Sequence, residues 1–288
     1  MIITHRCNLR CKHCYMNADI CNKEDSLKIF DLFKNTINKL KEIGINEIMI
    51  TGGECSIFPY IIEMLEYCKN NDISVIMFTN GIDFNRDITK YVDKYYLSID
   101  GLKNNHNKMR GNNKAFDRTI NTIKYLIKEK KDITIQVTVT NDNIDEIVEL
   151  SELLHEININ KINLCCLLDD GRSIDNKLDS NINLSKVKQI VKKIYRNTGY
   201  NLSVHTNIFN KLDTKNYVNT KSISLPLWID LVDNNYYLVK DNSYLSNDIN
   251  KLSKENIDDL NTKACNYIID RVKFINNDYY VLENEMGD

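Results

Sequence analysis

Strand-like and helix-like segments alternate along the first 170 residues, and this alternation restricts the fold more than any other feature of the chain. The short apolar run "MIITH" opens it. Residues 26–44 follow with apolar side chains at helical spacing, Leu27, Phe33, Ile37 and Leu40, with Ser26 as the expected N-cap and Gly44 as the stop. "NEIMIT" is a strand running into Gly52-Gly53, and "FPYIIEMLEYCKNN" is a helix with Pro59 in its first turn. The strand "ISVIMFTNG", a short helix at "DITKYV" and the strand "YYLSIDG" come next. The helix "AFDRTINTIKYLIKEK", the strand "DITIQVTVT", the helix "IDEIVELSELLHEI" and the strand "KINLCCLL" complete the series. Six strands with five intervening helices imply parallel βαβ units joined by right-handed crossovers. That is too few for a closed eight-fold barrel. The expected fold is therefore α/β, an open, partial (β/α)6 barrel with its site at the carboxyl ends of the strands.

The pattern changes after residue 170. "DDGRSIDNKLDSNIN" reads as a loop and "LSKVKQIVKKIYRN" as a helix. "LPLWIDLVDNNYYLVKDNSYL" reads as two strands about an Asp-Asn-Asn turn, and "RVKFINNDYYVLENE" as another hairpin. The expected division is a core over 1–170 and a smaller α+β region over 171–288.

With 42% hydrophobic and 27% charged residues the chain can form a globular core. A net charge of −2 gives no bulk attraction to nucleic acid. No stretch reaches the roughly 18 apolar residues of a membrane span, and "MIITHRCN" lacks the apolar segment of a signal peptide. A cytoplasmic location is expected. Nine cysteines, an odd number, then favour metal binding or catalysis over disulfides.

Three of the nine, Cys7, Cys11 and Cys14, lie in "CNLRCKHC" with spacing C-x3-C-x2-C, directly after the first strand. Structural zinc takes four protein ligands. His5 is the candidate fourth, which keeps zinc open as a reading. A cubane [4Fe–4S] cluster held by three thiolates instead leaves one iron free for a non-protein ligand. "TGGEC", Thr51 to Cys55, ends the second strand. "FTNG" and "LSIDG" end the third and fourth, and "HNKMRG" follows.

This ordered set resembles the radical S-adenosylmethionine (SAM) enzymes, most closely their peptide- and protein-modifying branch, over roughly residues 1–170. The resemblance implies one [4Fe–4S] cluster on Cys7, Cys11 and Cys14, with the free iron chelating the methionine part of SAM. Reductive cleavage of SAM then yields a 5′-deoxyadenosyl radical that abstracts hydrogen from substrate. It further implies that Gly52, Gly53 and Glu54 hold the methionine amino group. Glycines permit close backbone approach and a carboxylate pairs with an ammonium. Asn80, Ser98 and Asp100 would contact the ribose and the methionine carboxylate, His13 and Tyr15 would flank the adenine, and Arg110 would pair with the cofactor carboxylate or with substrate.

Relatives in that branch carry a cysteine-rich C-terminal extension binding auxiliary clusters. Here only Cys265 follows residue 166, so a degenerate extension without them is expected. The expected substrate is a ribosomally made peptide, crosslinked or epimerised. The alternatives are a small-molecule enzyme of cofactor or natural-product synthesis and a non-catalytic iron–sulfur or metal-binding regulator. Epimerisation needs a thiol hydrogen donor outside the triad, for which Cys265, Cys165, Cys166 and Cys55 are the candidates. Core packing is the ordinary reading of each of these cysteines. With only a few residues before the cysteine loop, no N-terminal peptide-recognition domain is expected. A peptide would be gripped by the barrel, by the C-terminal region or with a separate leader-recognition protein. A flavodoxin- or ferredoxin-type protein is the expected electron donor.

Overall fold

The computed structural model describes residues 1–199, 202–206, 227–233, 235–238 and 244–246. Strands β1 (Glu47–Ile50), β2 (Ser74–Thr79), β3 (Lys94–Ser98), β4 (Asp132–Val139), β5 (Lys161–Cys166) and β6 (Ser203–Thr206) form one sheet in sequential order. Every neighbouring pair is parallel. Helices α1 (Ser26–Glu42), α2 (Ile61–Asn70), α3 (Lys103–Arg110), α4 (Ala115–Lys128), α5 (Ile147–Glu156), α6 (Arg172–Asp175) and α7 (Leu184–Asn197) lie between the strands or before them. The protein is α/β with a partial barrel, as its alternating pattern requires. Helix α7 and β6 extend the parallel alternation beyond residue 170, where the sequence suggests that a separate region begins.

The first apolar run lengthens the sheet without forming a regular strand. Ile2 bridges Thr51 on one side and Asp230 on the other, both in parallel. The amides of Gly53 and Glu54 then donate to the carbonyls of Thr4 and Arg6 at 2.8 and 2.9 Å. This lays the chain leading to Cys7 along the end of β1. Antiparallel strands β7 (Leu227–Asp230) and β8 (Asn235–Leu238) form the expected hairpin, joined by β9 (Tyr244–Ser246). The second expected hairpin lies outside the described residues.

Strand alternation sorts the side chains into two layers. Val75, Met77, Tyr95, Leu97, Ile135, Val137, Ile162 and Leu164 are fully buried in the main core with Phe33, Ile37, Leu65 and Leu150 from the helices. The other face carries Phe78, Tyr96, Ser98, Gln136, Asn163 and Cys165, all half-buried. Phe78 stacks on Tyr96 at 4.6 Å. Ser98, Gln136 and Asn163 share one rung of register across β3, β4 and β5.

Several boundaries differ from expectation. The N-cap of α1 is Asp25, whose side chain accepts from the Lys28 amide, and Ser26 is the first helical residue. Pro59 precedes α2, which starts at Ile61 after Tyr60. Helix α3 has no amphipathic signature in the sequence because "KNNHNKMR" offers only one apolar side chain. It is ended by Gly111 in the left-handed region, φ 66°.

Candidate active site

The cysteine loop lies at the carboxyl ends of the strands, where the ends of β1 and β2 and the segments after β3 and β5 hold it. Cys7 and Cys11 are buried and Cys14 is half-buried, in a small cluster with Leu9, Ala18, Ile82 and Ala115. Burial pushes the Cys7 thiol up to about 12. Burial also raises Cys11, opposed by the Arg110 guanidinium. Buried thiols of this kind bind metal only on losing their protons.

At the end of β1, Gly52 and Gly53 are required by close approach. A Cβ on Gly53 would lie 2.2 Å from the Arg6 carbonyl oxygen and 3.0 Å from Cys7 Cβ, and one on Gly52 would lie 2.5 Å from the Thr4 oxygen. Glu54 is fully buried and its carboxylate ties two strand ends together. Oε1 accepts from the Ser56 amide, Ser56 Oγ and Thr79 Oγ1 at 3.1, 2.7 and 2.7 Å. Oε2 accepts from the Asn80 amide at 2.7 Å. Asn80 in turn donates from Nδ2 to Asn8 Oδ1 at 2.9 Å, inside the cysteine loop. Of the two residues that the sequence suggests as cofactor ligands, Glu54 has its carboxylate tied to Ser56, Thr79 and the Asn80 amide, and Asn80 has its side chain on Asn8 of the cysteine loop.

Asp100 sits beyond the end of β3 with 1% of its surface exposed. Its Oδ2 is 2.6 Å from Arg110 Nε and 3.7 Å from His13 Nε2. Its Oδ1 accepts from the Thr138 amide at 3.1 Å. Burial alone would raise this carboxyl, but Arg110 first, then His13 and His106, hold it below the usual range. Arg110 Nη1 also donates to Cys11 Sγ at 3.7 Å. The Asp100 amide donates to His106 Nδ1 at 3.1 Å, and burial holds His106 neutral with its value near 3. Burial likewise lowers His13 to about 4, and its Nδ1 is buried without a hydrogen-bond partner among the described residues. Ser98 lies on the half-buried face two residues before Asp100. Tyr15 is half-buried, and burial raises its hydroxyl.

The segment after β5, which the sequence presents as a loop and which holds the short helix α6, contributes residues that sequence reasoning missed. The Arg172 amide donates to Cys14 O at 2.9 Å. Its side chain donates to Cys11 O and Ala18 O, each at 2.9 Å. Asn176 Nδ2 donates to Lys12 O at 3.1 Å. A Cβ on Gly171, φ +55°, would meet Cys14 O and Tyr15 O at 2.5 Å. The one available signal was Gly-Arg in a segment read as plain loop.

The candidate hydrogen donors separate by position. Cys55 is fully buried in the core under the Glu54 turn, and burial raises its thiol. Cys166 packs against the main core. Cys165 lies on the other face, where burial pushes its thiol up to about 12 with contributions from Cys166 and Asp100. Cys265 lies outside the described residues.

The donor set fits an iron–sulfur cluster better than zinc. Three thiols share one loop, a guanidinium N–H reaches one sulfur, and no fourth ligand joins them among the described residues. His5 Nε2 is instead 3.1 Å from Asp230 Oδ2. Among the described residues no three ligand atoms that include a cysteine lie within 4.8 Å of one another, the Cys7, Cys11 and Cys14 sulfurs among them, so the triad is spaced more widely than the ligands of a single zinc ion; the set that does lie that close is His5, Asp230 and Asp233.

Comparison with known proteins agrees. The Radical SAM superfamily profile matches residues 1–154. Fe-coproporphyrin III synthase of Methanosarcina barkeri is 27% identical over 201 residues, 68% of this chain and 50% of its own. The subtilosin biosynthesis protein AlbA of Bacillus subtilis is 27% identical over 182 residues, 60% and 40% of the two chains. Mycofactocin maturase MftC of Mycolicibacterium smegmatis is 26% identical over 159 residues, 52% and 40%. The chain thus spans half or less of these relatives' lengths. Streptococcus suis SuiB bound to S-adenosylmethionine shares the fold with a TM-score of 0.68 at 17% identity, over 88% of this chain and 63% of that one. AdoMet-bound anSMEcpe gives 0.63 at 16%, over 88% and 78%. With the cysteine loop seated on the strand ends and the profile covering more than half of the sequence, this chain belongs to the radical SAM superfamily.

Proposed function

We propose that this protein is a radical SAM enzyme acting on a ribosomally made peptide. The observation that carries this reading is the half-buried polar sheet face that runs toward the strand ends where the cysteine loop sits. Its rung of Ser98, Gln136 and Asn163 offers hydroxyl and amide groups suited to peptide backbone. Similarity to AlbA, to the sporulation killing factor maturation protein SkfB and to MftC supports it. SuiB, with the same fold, has been seen bound to its precursor peptide SuiA.

In this reading Cys7, Cys11 and Cys14 hold one [4Fe–4S] cluster, which together with SAM supplies one-electron carbon–sulfur cleavage and a hydrogen-abstracting radical. The main chain of Gly52 to Glu54 receives the methionine amino group, since the Glu54 carboxylate already has four donors. His13 and Tyr15 border the adenine, and Ser98 faces the methionine carboxylate. Asn80 and Asp100 support these groups from behind. Cys165, on the half-buried face and kept a thiol by burial, is the donor that epimerisation would use; a neutral S–H, not a thiolate, gives up a hydrogen atom. The division into a core and a C-terminal region without auxiliary clusters, a cytoplasmic location, a flavodoxin- or ferredoxin-type donor and a separate leader-recognition partner belong to the same proposal. No helix among the described residues is long and apolar enough to cross a membrane.

A second reading, turnover of a tetrapyrrole, is favoured by the 68% of this chain that aligns with Fe-coproporphyrin III synthase. The test is anaerobic reconstitution followed by incubation with SAM, a reductant and either a candidate precursor peptide sought among the products of neighbouring genes or an iron coproporphyrin. A mass change in the peptide together with 5′-deoxyadenosine formation supports the first reading. Change in the porphyrin alone rejects it.

A further inference from the structure

We propose that Arg110 is a positioning residue for the iron–sulfur cluster that sets its reduction potential through Cys11. This rests on the cluster being held by Cys7, Cys11 and Cys14, but not on the identity of the substrate.

The sequence admits two partners for Arg110, a cofactor carboxylate or the substrate; the structure supplies two others. The side chain has only 9% of its surface exposed. Its Nε faces Asp100 Oδ2 at 2.6 Å and its Nη1 donates to Cys11 Sγ at 3.7 Å. The position is set from both sides. Arg110 is the last residue of α3, which Gly111 terminates. The preceding Met109 carbonyl accepts from the Lys12 amide at 2.8 Å, so the helix end and the cysteine loop are joined by main chain as well. Asp100 is held by the Thr138 amide on its Oδ1 at 3.1 Å. Asn143 Nδ2 fixes the Asp100 carbonyl at 2.6 Å.

One-electron reduction of the cluster by a low-potential donor adds one negative charge, spread partly onto the thiolate sulfurs. An N–H aimed at a ligating sulfur, carrying a positive charge, stabilises the reduced form more than the oxidised form. Asp100 opposes it, because its carboxylate cancels part of the guanidinium charge at the same distance scale. The pair is thus a setting with two independent handles. Loss of Arg110 makes the cluster harder to reduce, and loss of the Asp100 charge makes it easier. A purely structural role for the pair predicts no such opposition of sign.

The test uses the reconstituted protein without SAM or substrate. Wild type, Arg110→Met, Arg110→Lys and Asp100→Asn are matched for iron and sulfide per chain, then titrated with dithionite and mediators under EPR. Arg110→Met is expected to lower the reduced-to-oxidised ratio at a fixed poise at least tenfold, a shift of about 59 mV for a one-electron couple. Asp100→Asn is expected to move it the other way, and Arg110→Lys to lie between wild type and Arg110→Met. If Arg110→Met does not fold, Asp100→Asn decides alone. A potential unchanged or lowered in Asp100→Asn overturns the proposal, as do shifts of one sign in both variants. Failure of wild type to assemble any cluster would instead refute the cluster assignment itself.

Discussion

Arg172 Nε donates a 2.9 Å hydrogen bond to the main-chain carbonyl of Cys11, joining positions 161 residues apart. The same guanidinium reaches Ala18 O, so one side chain fastens the middle of the cysteine loop and the segment just beyond it to the segment after β5. Hydrogen bonds from charged donors contribute about 1.5–3 kcal/mol each, less where solvent competes. Arg172→Ala is expected to cost roughly 2 kcal/mol in thermal unfolding and to lower the iron retained after gel filtration. Lysine at this position recovers less than half of either effect, since it lacks the planar fork that spans two carbonyls. Unchanged iron retention in the alanine variant would show that the loop holds its shape without the clamp.

Glu54→Gln changes one atom of a carboxylate that accepts four hydrogen bonds in a buried site. Glutamine has a single acceptor oxygen, and its amide then faces either the Asn80 N–H or the Ser56 and Thr79 donors. Donor against donor in a buried site costs on the order of 2–3 kcal/mol. Urea denaturation checks this, and a midpoint equal to wild type contradicts it.

Gly53→Ala and Gly44→Ala separate crowding from backbone strain. Nothing lies within 4 Å of a Cβ on Gly44, whose φ is +85°. That variant pays only the left-handed conformation, about 1 kcal/mol, and retains cluster loading. At Gly53 the new Cβ meets the Arg6 carbonyl at 2.2 Å, and the backbone leading to Cys7 has to move. A loss of roughly 3 kcal/mol or more is expected, with loading abolished. Equal loading in the two variants would disprove the role given to Gly53.

Cys165 and Cys21 are expected to differ in reactivity toward iodoacetamide in the native protein. Cys21 is exposed, whereas burial pushes Cys165 up to about 12. Only the thiolate reacts, so labelling of Cys165 should be slow at pH 7 and climb about tenfold per pH unit to pH 9. Peptide mapping by mass spectrometry reads both sites in one sample. Equal rates at pH 7 would place Cys165 in a solvated position and weaken its candidacy as hydrogen donor.

Much of this was legible in the sequence because it is written in short-range terms. The spacing of Phe33, Ile37 and Leu40 announces α1, all three sealed in the core. The motifs at Gly52-Gly53-Glu54, Asn80 and Asp100 mark strand ends because polar residues must stand where apolar runs stop. Helix α3 stayed hidden, since its stability comes from its Gly111 cap and its packing at the site, not from a periodic apolar face. Strand β6 stayed hidden as well: "SVHT" is too short to declare itself and is a strand because β5 offers it an edge.

By itself, then, the sequence determined the α/β alternation, the order of the strand ends and a cysteine loop built for a metal cluster, all of which depend on residues near one another in the chain. Only the tertiary structure decided what the charged and polar side chains at the site are engaged with. Glu54 ties the ends of β1 and β2 together, Asn80 braces the loop, Arg110 turns to Asp100 and Cys11, and Arg172 closes over the loop. A buried carboxylate or guanidinium takes whatever partner the packing brings within hydrogen-bond distance, and that distance is set by strands and loops far apart in sequence.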